Sequence, residues 1–315
     1  MTDQPRSPSF FRWKRDLLAQ LERGSQIAPT AAGPIEYFSS GEGPVILGMH
    51  GTPGGYDQVK LVGGDMVGSG FRVIGWSRPG YLRTPLEVGR DFAEQADAAA
   101  RLLDSLGVER ASVFSASGGG PAGYYFAARH PDRVWALVAE CAISCRFGSE
   151  LRAAQRYLMK FALNDFGTHL IDWFAMRFPR SVTRQAIRIE STLDRASAAA
   201  LMEQVTADPA KTGFVLGLLR TMYPASARVA GVINDFEQFA RLGPLPFEQI
   251  RCPALIIHGT HDASVPIEHG EDASRAIARA EFMRIDRGTH LLWIAPEADD
   301  IRTRSIDFLK THAPR

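Results

Sequence analysis

The sequence predicts an α/β fold with a mostly parallel central sheet, helices on both faces and an inserted helical cap. Three observations support this prediction. Short apolar runs alternate with helix-like segments over residues 26–145, a pattern typical of a parallel sheet. Strand-like runs are missing over 146–243 and return at Pro253–Ile257. A strand, a Gly-rich turn and the start of a helix follow one another around Ala111–Gly120.

The composition limits the kinds of partner that this chain is expected to have. The 315 residues are 45% apolar and carry a formal net charge of +1, so a large core is expected and nucleic acid is not an expected partner. An odd count of three cysteines favours free thiols in a reducing compartment. No apolar run is long enough to span a membrane, and the first residues do not resemble a signal peptide. A cytoplasmic location is therefore predicted.

The chain is divided by these patterns into an N-terminal helical extension (1–25), a core (26–145 and 244–315) and a cap (146–243). A helix is predicted from Ser9 to Gly24, because apolar residues recur on one of its faces. This helix is expected to pack on the body or on a second subunit of a homo-oligomer. Because residues 9–23 are basic and aromatic at their start, contact with a membrane surface is the alternative.

The predicted strands are short runs rich in β-branched and aromatic residues, bounded by turn-forming residues. In chain order they are a first strand or hairpin near Pro34–Phe38, then Val45–Gly48, Phe71–Trp76, the run of Val113 and Phe114, Val134–Ala139, Pro253–Ile257 and Glu281–Ile285.

The predicted helices show apolar residues at every third or fourth position. Within the core they are Glu87–Leu106, which Gly107 would end, and Glu297–Lys310. Within the cap they are Leu151–Leu163, Leu170–Phe178, Val182–Glu190, Ala196–Val205 and Val229–Ala240. Some of the large apolar residues of the cap are expected to line a substrate pocket, and the sequence alone does not say which.

A candidate nucleophile lies in the turn after the strand that contains Val113. A sharp strand-to-helix turn around a central serine needs small residues two positions on either side. Ser115 and Gly119 meet this requirement around Ser117. The alternative register, with Ser115 at the centre, would place Val113 at a position that must be small, so Ser117 is the favoured nucleophile.

A second Gly-rich loop follows the strand Val45–Gly48 and reads His-Gly-Thr-Pro-Gly-Gly over residues 50–55. It lacks the Lys-Ser/Thr ending of a phosphate-binding P-loop. A loop of this kind presents bare backbone N–H groups to an oxyanion. We expect His50 to hold the loop by hydrogen bonding rather than to act in catalysis.

An acid and a base follow two later strands. Asp262 comes after Pro253–Ile257, and His290 comes after Glu281–Ile285. Because the carboxyl ends of parallel strands meet at one edge of a sheet, Ser117, Asp262 and His290 are expected to converge there as nucleophile, acid and base. Glu140, which ends the strand after the nucleophile helix, is the second-choice acid. His261 is interpreted as a turn residue because adjacent side chains point apart.

These segments together resemble the α/β-hydrolase fold superfamily, in particular its capped serine hydrolases of the lipase and esterase kind. The matching segments are 50–55, 77–81, 115–121, 262–266 and 288–290. The resemblance implies that Ser117 is the nucleophile, His290 the base and Asp262 its orienting acid. It implies an oxyanion hole made by the backbone N–H groups of Thr52 and Gly118, supported by the residues His50, Gly51 and Gly119.

The expected function is hydrolysis of a carboxylic ester of a hydrophobic small molecule, with no cofactor and no metal. Ser117 in place of a carboxylate argues against dehalogenases and epoxide hydrolases of the same superfamily, and Thr52 weakens a match to iminopeptidases. A lactonase, an amidase or iminopeptidase and a carbon–carbon bond hydrolase stay open as alternatives. From other classes, a ligand-binding protein with little turnover and a cofactor-free lyase or oxygenase also stay open.

Overall fold

The computed structural model of the protein describes residues 9–148 and 164–314. An eight-stranded sheet in the order β1-β2-β4-β3-β5-β6-β7-β8 forms its centre, and this confirms the predicted α/β fold. The strands are β1 (Gln26–Thr30), β2 (Gly33–Ser40), β3 (Val45–Met49), β4 (Arg72–Trp76), β5 (Ala111–Ala116), β6 (Val134–Glu140), β7 (Ala254–Gly259) and β8 (Ala280–Ile285).

Strands β3 to β8 run parallel, whereas β1 and β2 are antiparallel to their neighbours. The strand predicted near Pro34–Phe38 is β2, and its hairpin partner is the preceding strand β1, which was not predicted. Strand β1 contains Pro29. A proline is tolerated on an edge strand, where one side of the ladder has no partner.

Seven α-helices of the described residues flank the sheet, and four of them lie close to predicted helices. They are α1 (Phe10–Arg23), α2 (Tyr56–Val62), α3 (Gly64–Gly68), α4 (Phe92–Ser105), α5 (Gly120–Arg129), α11 (Glu268–Ala276) and α12 (Ala298–His312). Helix α4 begins at Phe92 and not at Glu87, because the Asp91 side chain caps it and Glu94 bonds back to the Asp91 backbone. Helices α2, α3 and α11 were not predicted.

The described part of the chain between β6 and β7 contains five α-helices and no strand of the sheet. These are α6 (Asp165–Arg177), α7 (Pro179–Ile189), α8 (Arg195–Ala207), α9 (Pro209–Arg220) and α10 (Val229–Arg241). Four of them match predicted helices, and the fifth, α9, starts at an unassigned proline that follows the capping side chain of Asp208. The predicted helix Leu151–Leu163 lies outside the described residues.

Helix α1 packs on the body of the same chain. The indole nitrogen of Trp13 donates to Asp172 in α6 at 2.9 Å, and the phenol of Tyr56 donates to the carbonyl of Leu21 at 2.6 Å. Phe10 meets Phe166 edge to face at 5.8 Å between ring centroids. These contacts correspond to the first of the two options predicted for the helix. Within the described ranges, no helix has the length and apolarity needed to cross a bilayer.

Both faces of the central strands are buried, and this packing fixes the positions of the strand ends. Every residue of β5 is buried. Val113 packs in the hydrophobic cluster on one face, and Phe114 packs in the cluster on the other. Full burial on both sides explains why such strands read as continuous apolar runs rather than alternating ones. The carboxyl end of β5 is thereby fixed, and Ser117 follows it directly.

Candidate active site

Ser117 occupies a sharp turn between β5 and α5. Its φ angle is +50°, in the left-handed region that a residue other than glycine seldom adopts. The predicted need for a small residue at position 119 is explained by the backbone: a Cβ on Gly119 would lie 2.4 Å from the carbonyl oxygen of Met49. The strained turn projects the serine side chain out of the sheet edge.

The side chains of Ser117, His290 and Asp262 form one hydrogen-bonded series. His290 Nε2 lies 3.1 Å from Ser117 Oγ, and His290 Nδ1 lies 2.7 Å from Asp262 Oδ2. The other oxygen of Asp262 accepts the backbone N–H groups of Ser264 at 2.8 Å and Val265 at 2.7 Å. The three residues predicted from strand order therefore meet, and Asp262 is held at both oxygens.

The charge states of this series suit proton transfer. Burial alone would raise the pKa of Asp262, but its hydrogen bonds and the His290 charge hold that pKa below its ordinary value. Burial opposes a charged His290, yet the hydrogen bond to Asp262 and its charge outweigh burial, so the pKa of His290 lies above its ordinary value. A neutral His290 with Nδ1–H donating to Asp262 leaves Nε2 free to accept the serine proton.

The loop 50–55 lies against Ser117. A Cβ on Gly51 would be 3.2 Å from Ser117 Cβ, and a Cβ on Gly118 would be 2.3 Å from Thr52 Oγ1. Thr52 and Gly118 both line the cavity beside Ser117. The backbone N–H of Thr52 makes no hydrogen bond to another residue of the described chain. The two residues of the expected oxyanion hole are thus adjacent, with an N–H of Thr52 left for a ligand.

His50 holds this loop and does not reach Ser117. Its Nε2 accepts the backbone N–H of Arg78 at 2.9 Å, and its Nδ1 lies 2.7 Å from the carbonyl oxygen of Gly51. Burial, with the Arg78 charge, lowers the pKa of His50 well below its ordinary value, so the ring is neutral. The Gly51 N–H donates to Gln58 at 2.7 Å, which fixes the loop from its other side.

Glu140 and His261 are not brought to the base. Glu140 is buried at the end of β6, the Ser305 hydroxyl donates to its Oε1 at 3.4 Å, and burial raises its pKa to about 7. The His261 ring lies 2.8 Å from the hydroxyl of Thr260, its neighbour in the turn. His290 contacts Asp262 rather than the second-choice acid.

Sequence reasoning missed a group that supports Asp262. Cys141 follows β6 with φ of +45°, and burial raises the pKa of its thiol, which shares a hydrogen bond with Asp262. His258 Nε2 lies 2.9 Å from the carbonyl oxygen of Val265 and 3.6 Å from Asp262 Oδ2. The ligand atoms of Cys141, His258 and Asp262 lie within 4.8 Å of one another, close enough to hold a metal ion. Because Asp262 Oδ2 is engaged by His290 and His258 Nε2 by the carbonyl of Val265, we interpret the cluster as support for Asp262.

Ser117 and His290 line a cavity of about 260 Å³. Its wall is largely apolar, and the chain between β6 and β7 contributes part of it: Leu218, Met222, Phe236 and Phe239. Trp173, Phe174 and Met176, which belong to the same helical region, are exposed instead. Glu190 also lines the cavity, its backbone oxygen accepts the N–H of His290 at 3.1 Å, and its carboxylate accepts the Ser264 hydroxyl.

Comparisons with known proteins agree with this architecture. A family model described as the alpha/beta hydrolase fold matches residues 44–294. The solved structure of an alpha/beta hydrolase fold protein from Nakamurella multipartita is 37% identical, with a TM-score of 0.83 over 91% of this chain and 99% of that one. The hydrolase YcgS of Bacillus subtilis is 28% identical over 89% of this chain and 96% of its own length. A 2-hydroxy-6-oxo-6-phenylhexa-2,4-dienoate hydrolase of Comamonas testosteroni is 25% identical over 88% of this chain and 91% of its own.

Proposed function

The chain belongs to the alpha/beta hydrolase fold family, and from that premise we propose that it is a serine hydrolase that cleaves a carboxylic ester of a hydrophobic small molecule. The observation that carries the proposal is the series Ser117–His290–Asp262, with contacts of 3.1 and 2.7 Å. A serine hydroxyl is a poor nucleophile unless a positioned base removes its proton. The positive φ of Ser117 adds support, because it points the hydroxyl at the base.

The reaction proceeds through an acyl-enzyme. Ser117 Oγ attacks the ester carbonyl carbon while His290 Nε2 takes the hydroxyl proton, and Asp262 stabilises the resulting imidazolium. The backbone N–H groups of Thr52 and Gly118 stabilise the negative oxygen of the tetrahedral intermediate. His290 then gives its proton to the leaving alcohol. In the second half, His290 deprotonates a water molecule that attacks the acyl carbon, and it then returns this proton to Ser117 Oγ as the acid is released.

The walls of the cavity favour an apolar substrate. Side chains such as Leu218, Phe236 and Phe239 surround Ser117 in a space of about 260 Å³, which suits a small hydrophobic acyl or alcohol group. A lactone or an amide of the same size would use the same three side chains. The ester is preferred because an alcohol leaves more easily than an amine.

A carbon–carbon bond hydrolase is the second candidate, on account of the relative from Comamonas testosteroni. The substrate in the name of that relative is a dienoate, which carries a carboxylate. Among the described residues that line this cavity there is one acidic side chain, Glu190, and no lysine or arginine. An anionic substrate would therefore meet like charge near Ser117, and this observation favours the neutral ester.

The test is labelling with a fluorophosphonate, followed by intact mass measurement. One adduct is expected on the wild type and none on Ser117→Ala. Ser117 and Ser115 fall in the same tryptic peptide, Ala111–Arg129, so Ser115→Ala is the matched control and should label like the wild type.

A panel of p-nitrophenyl esters of increasing acyl length should then show turnover that Ser117→Ala abolishes. If the folded wild type forms no adduct and hydrolyses no ester, the ligand-binding and lyase or oxygenase alternatives replace the hydrolase. Ligand-induced stabilisation without product would identify the binding protein.

A further inference from the structure

A buried ion pair connects the inserted helices to the loop beside Ser117. Arg78 and Asp235 have fully buried side chains. The guanidinium donates to both carboxylate oxygens of Asp235, at 2.9 and 2.6 Å. Two hydroxyl groups also donate to this carboxylate: Tyr81 at 2.6 Å and Thr52. A carboxylate that faces four donors in a dry site has its position strictly fixed.

The protons of this cluster have defined places. Burial and the charge of Asp235 raise the pKa of Tyr81 well above its ordinary value, so the phenol stays neutral and donates. Burial would lower the pKa of Arg78, but the Asp235 charge outweighs it and raises that pKa. Arg78 also donates to the hydroxyl oxygen of Thr52 at 3.2 Å. With that oxygen engaged as an acceptor, the Thr52 proton is directed to Asp235.

Asp235 lies in α10, which is itself joined to the core loops. The backbone N–H of Leu82 donates to the carbonyl of Ala227 at 2.6 Å, and the N–H of Gly231 donates to the carbonyl of Gly80 at 2.9 Å. A Cβ on Gly231 would lie 2.3 Å from the ring of Tyr81, so the helix approaches the core as closely as a glycine permits. The carboxylate is therefore held at a fixed distance from loop 50–55.

From this arrangement we propose that Asp235 is a positioning residue for the oxyanion hole. It acts through the side chain of Thr52: the hydroxyl is fixed by Asp235 and Arg78, and the backbone N–H of the same residue is thereby kept directed toward Ser117. This inference rests on the proposed function, because it assigns a purpose to the Thr52 N–H in ester hydrolysis. A purely structural ion pair is the competing explanation, since buried pairs of this kind occur without a catalytic role.

Two substitutions at Thr52 separate these explanations without breaking the ion pair. Thr52→Val keeps the shape and the backbone N–H but removes the hydroxyl, and Asp235 retains Arg78 and Tyr81. We expect kcat for a p-nitrophenyl ester to fall about tenfold to a hundredfold, with KM changed less than about threefold, because a misplaced donor affects the transition state more than binding. Thr52→Ser restores the hydroxyl and should recover most of the lost kcat.

Thr183→Val is the control, because it makes the same change at a buried threonine whose hydroxyl has no hydrogen-bond partner among the described residues and which does not line the cavity beside Ser117. Its kcat should stay within about threefold of the wild type. A Thr52→Val enzyme with wild-type kcat, or an equal loss in Thr183→Val, would overturn the positioning role in favour of the structural one.

A second measurement is independent of turnover. The Gly51 N–H is bonded to Gln58, so its hydrogen exchange reports on opening of the loop. Exchange of the Gly51 N–H should be faster in Thr52→Val than in the wild type, and in Thr52→Ser it should return toward the wild-type rate. Equal exchange rates in all three proteins would contradict the positioning of loop 50–55 through the Thr52 hydroxyl, even if no ester were hydrolysed. Failure of the wild type to hydrolyse any ester would instead count against the proposed function alone.

Discussion

Gly118→Ala is a direct test of the crowding between the two residues of the expected oxyanion hole. A Cβ at this position would lie 2.3 Å from Thr52 Oγ1, 2.8 Å from Thr52 Cβ and 3.0 Å from Phe239 Cζ, where ordinary contact begins at 3.4 Å. The Thr52 hydroxyl would have to retreat by about 1 Å, yet its bonds to Asp235 and Arg78 oppose that movement. The strain is therefore expected to displace the backbone N–H groups.

The expected magnitude follows from that displacement. A misplacement of about 1 Å, or the loss of one oxyanion donor, typically costs on the order of a hundredfold in rate. We expect kcat for a p-nitrophenyl ester to fall by roughly that factor. KM should change little, because the ground-state ester does not depend on the oxyanion donors.

Steady-state kinetics and a thermal unfolding curve of the same sample check this result. Gly213→Ala is the matched control, because nothing lies within 4 Å of the added Cβ and the residue is in the middle of α9, away from Ser117. It should keep the wild-type kcat and unfold at the same or a higher temperature. If Gly118→Ala is folded and retains kcat within threefold of the wild type, the oxyanion assignment of Thr52 and Gly118 is refuted.

Three further predictions concern the acidic residues. Asp262→Asn should lower kcat by roughly 10⁴ and move the acidic limb of the pH–rate profile to lower pH, because the raised pKa of His290 depends on Asp262; an unmoved limb would contradict that. Because of Glu140, the free energy of unfolding of the wild type should fall by on the order of 3 kcal/mol between about pH 4.5 and 8, and Glu140→Gln should remove this fall. The reason is that burial raises the pKa of Glu140 in the folded protein to about 7. The stability that Glu140 contributes is therefore complete below its pKa in the unfolded chain and is lost as pH rises through the folded pKa. Thermal unfolding at several pH values measures this loss. Glu190→Gln should raise kcat/KM for a carboxylate-bearing ester about threefold to tenfold relative to a neutral ester, because it removes like charge from the cavity wall. Equal ratios before and after the change would count against a role in substrate selection.

The positions of Ser117, Asp262 and His290 could be predicted because a simple topological rule governs them. Each follows a strand of the parallel part of the sheet, and parallel strands end at the same edge. Loop 50–55 follows β3, which pairs directly with β5, so its proximity to Ser117 comes from the same rule. Local pattern and chain order were sufficient for residues placed by strands.

The residues that the sequence did not reveal are placed by tertiary packing. Thr52 and Asp235 are separated by 183 positions, and Asp235 is one polar residue in a helix whose pattern predicts only an amphipathic surface. Cys141 is one of the three cysteines expected as free thiols, and its position after β6 beside Asp262 was not predicted. Apolar periodicity does not predict contacts between residues distant in sequence, because such contacts depend on which helix face packs against which loop.

Errors at the ends of elements have a different and more local cause. Apolar periodicity extends past the true start of α4, whereas the pair Asp91 and Glu94 forms a capping box that fixes the first turn. Helix α9, which was not predicted at all, begins with similar local signals: Asp208 caps it and Pro209 occupies its first position. Both signals are present in the sequence, and they mark the first residue of a helix more closely than apolar periodicity does.

The inserted helical segment supports the candidate site from two opposite sides. Through Asp235 it holds Thr52, on the side of Ser117 where the oxyanion hole is proposed. Through Glu190 it accepts the backbone N–H of His290 and the hydroxyl of Ser264, on the side of the acid. Core and cap are separate in sequence order, but residues from both are needed to hold the groups around Ser117. It follows that α10 cannot move away as part of an opening lid without releasing Thr52. Any change that admits larger substrates should therefore involve the helices before α10 and leave α10 in place.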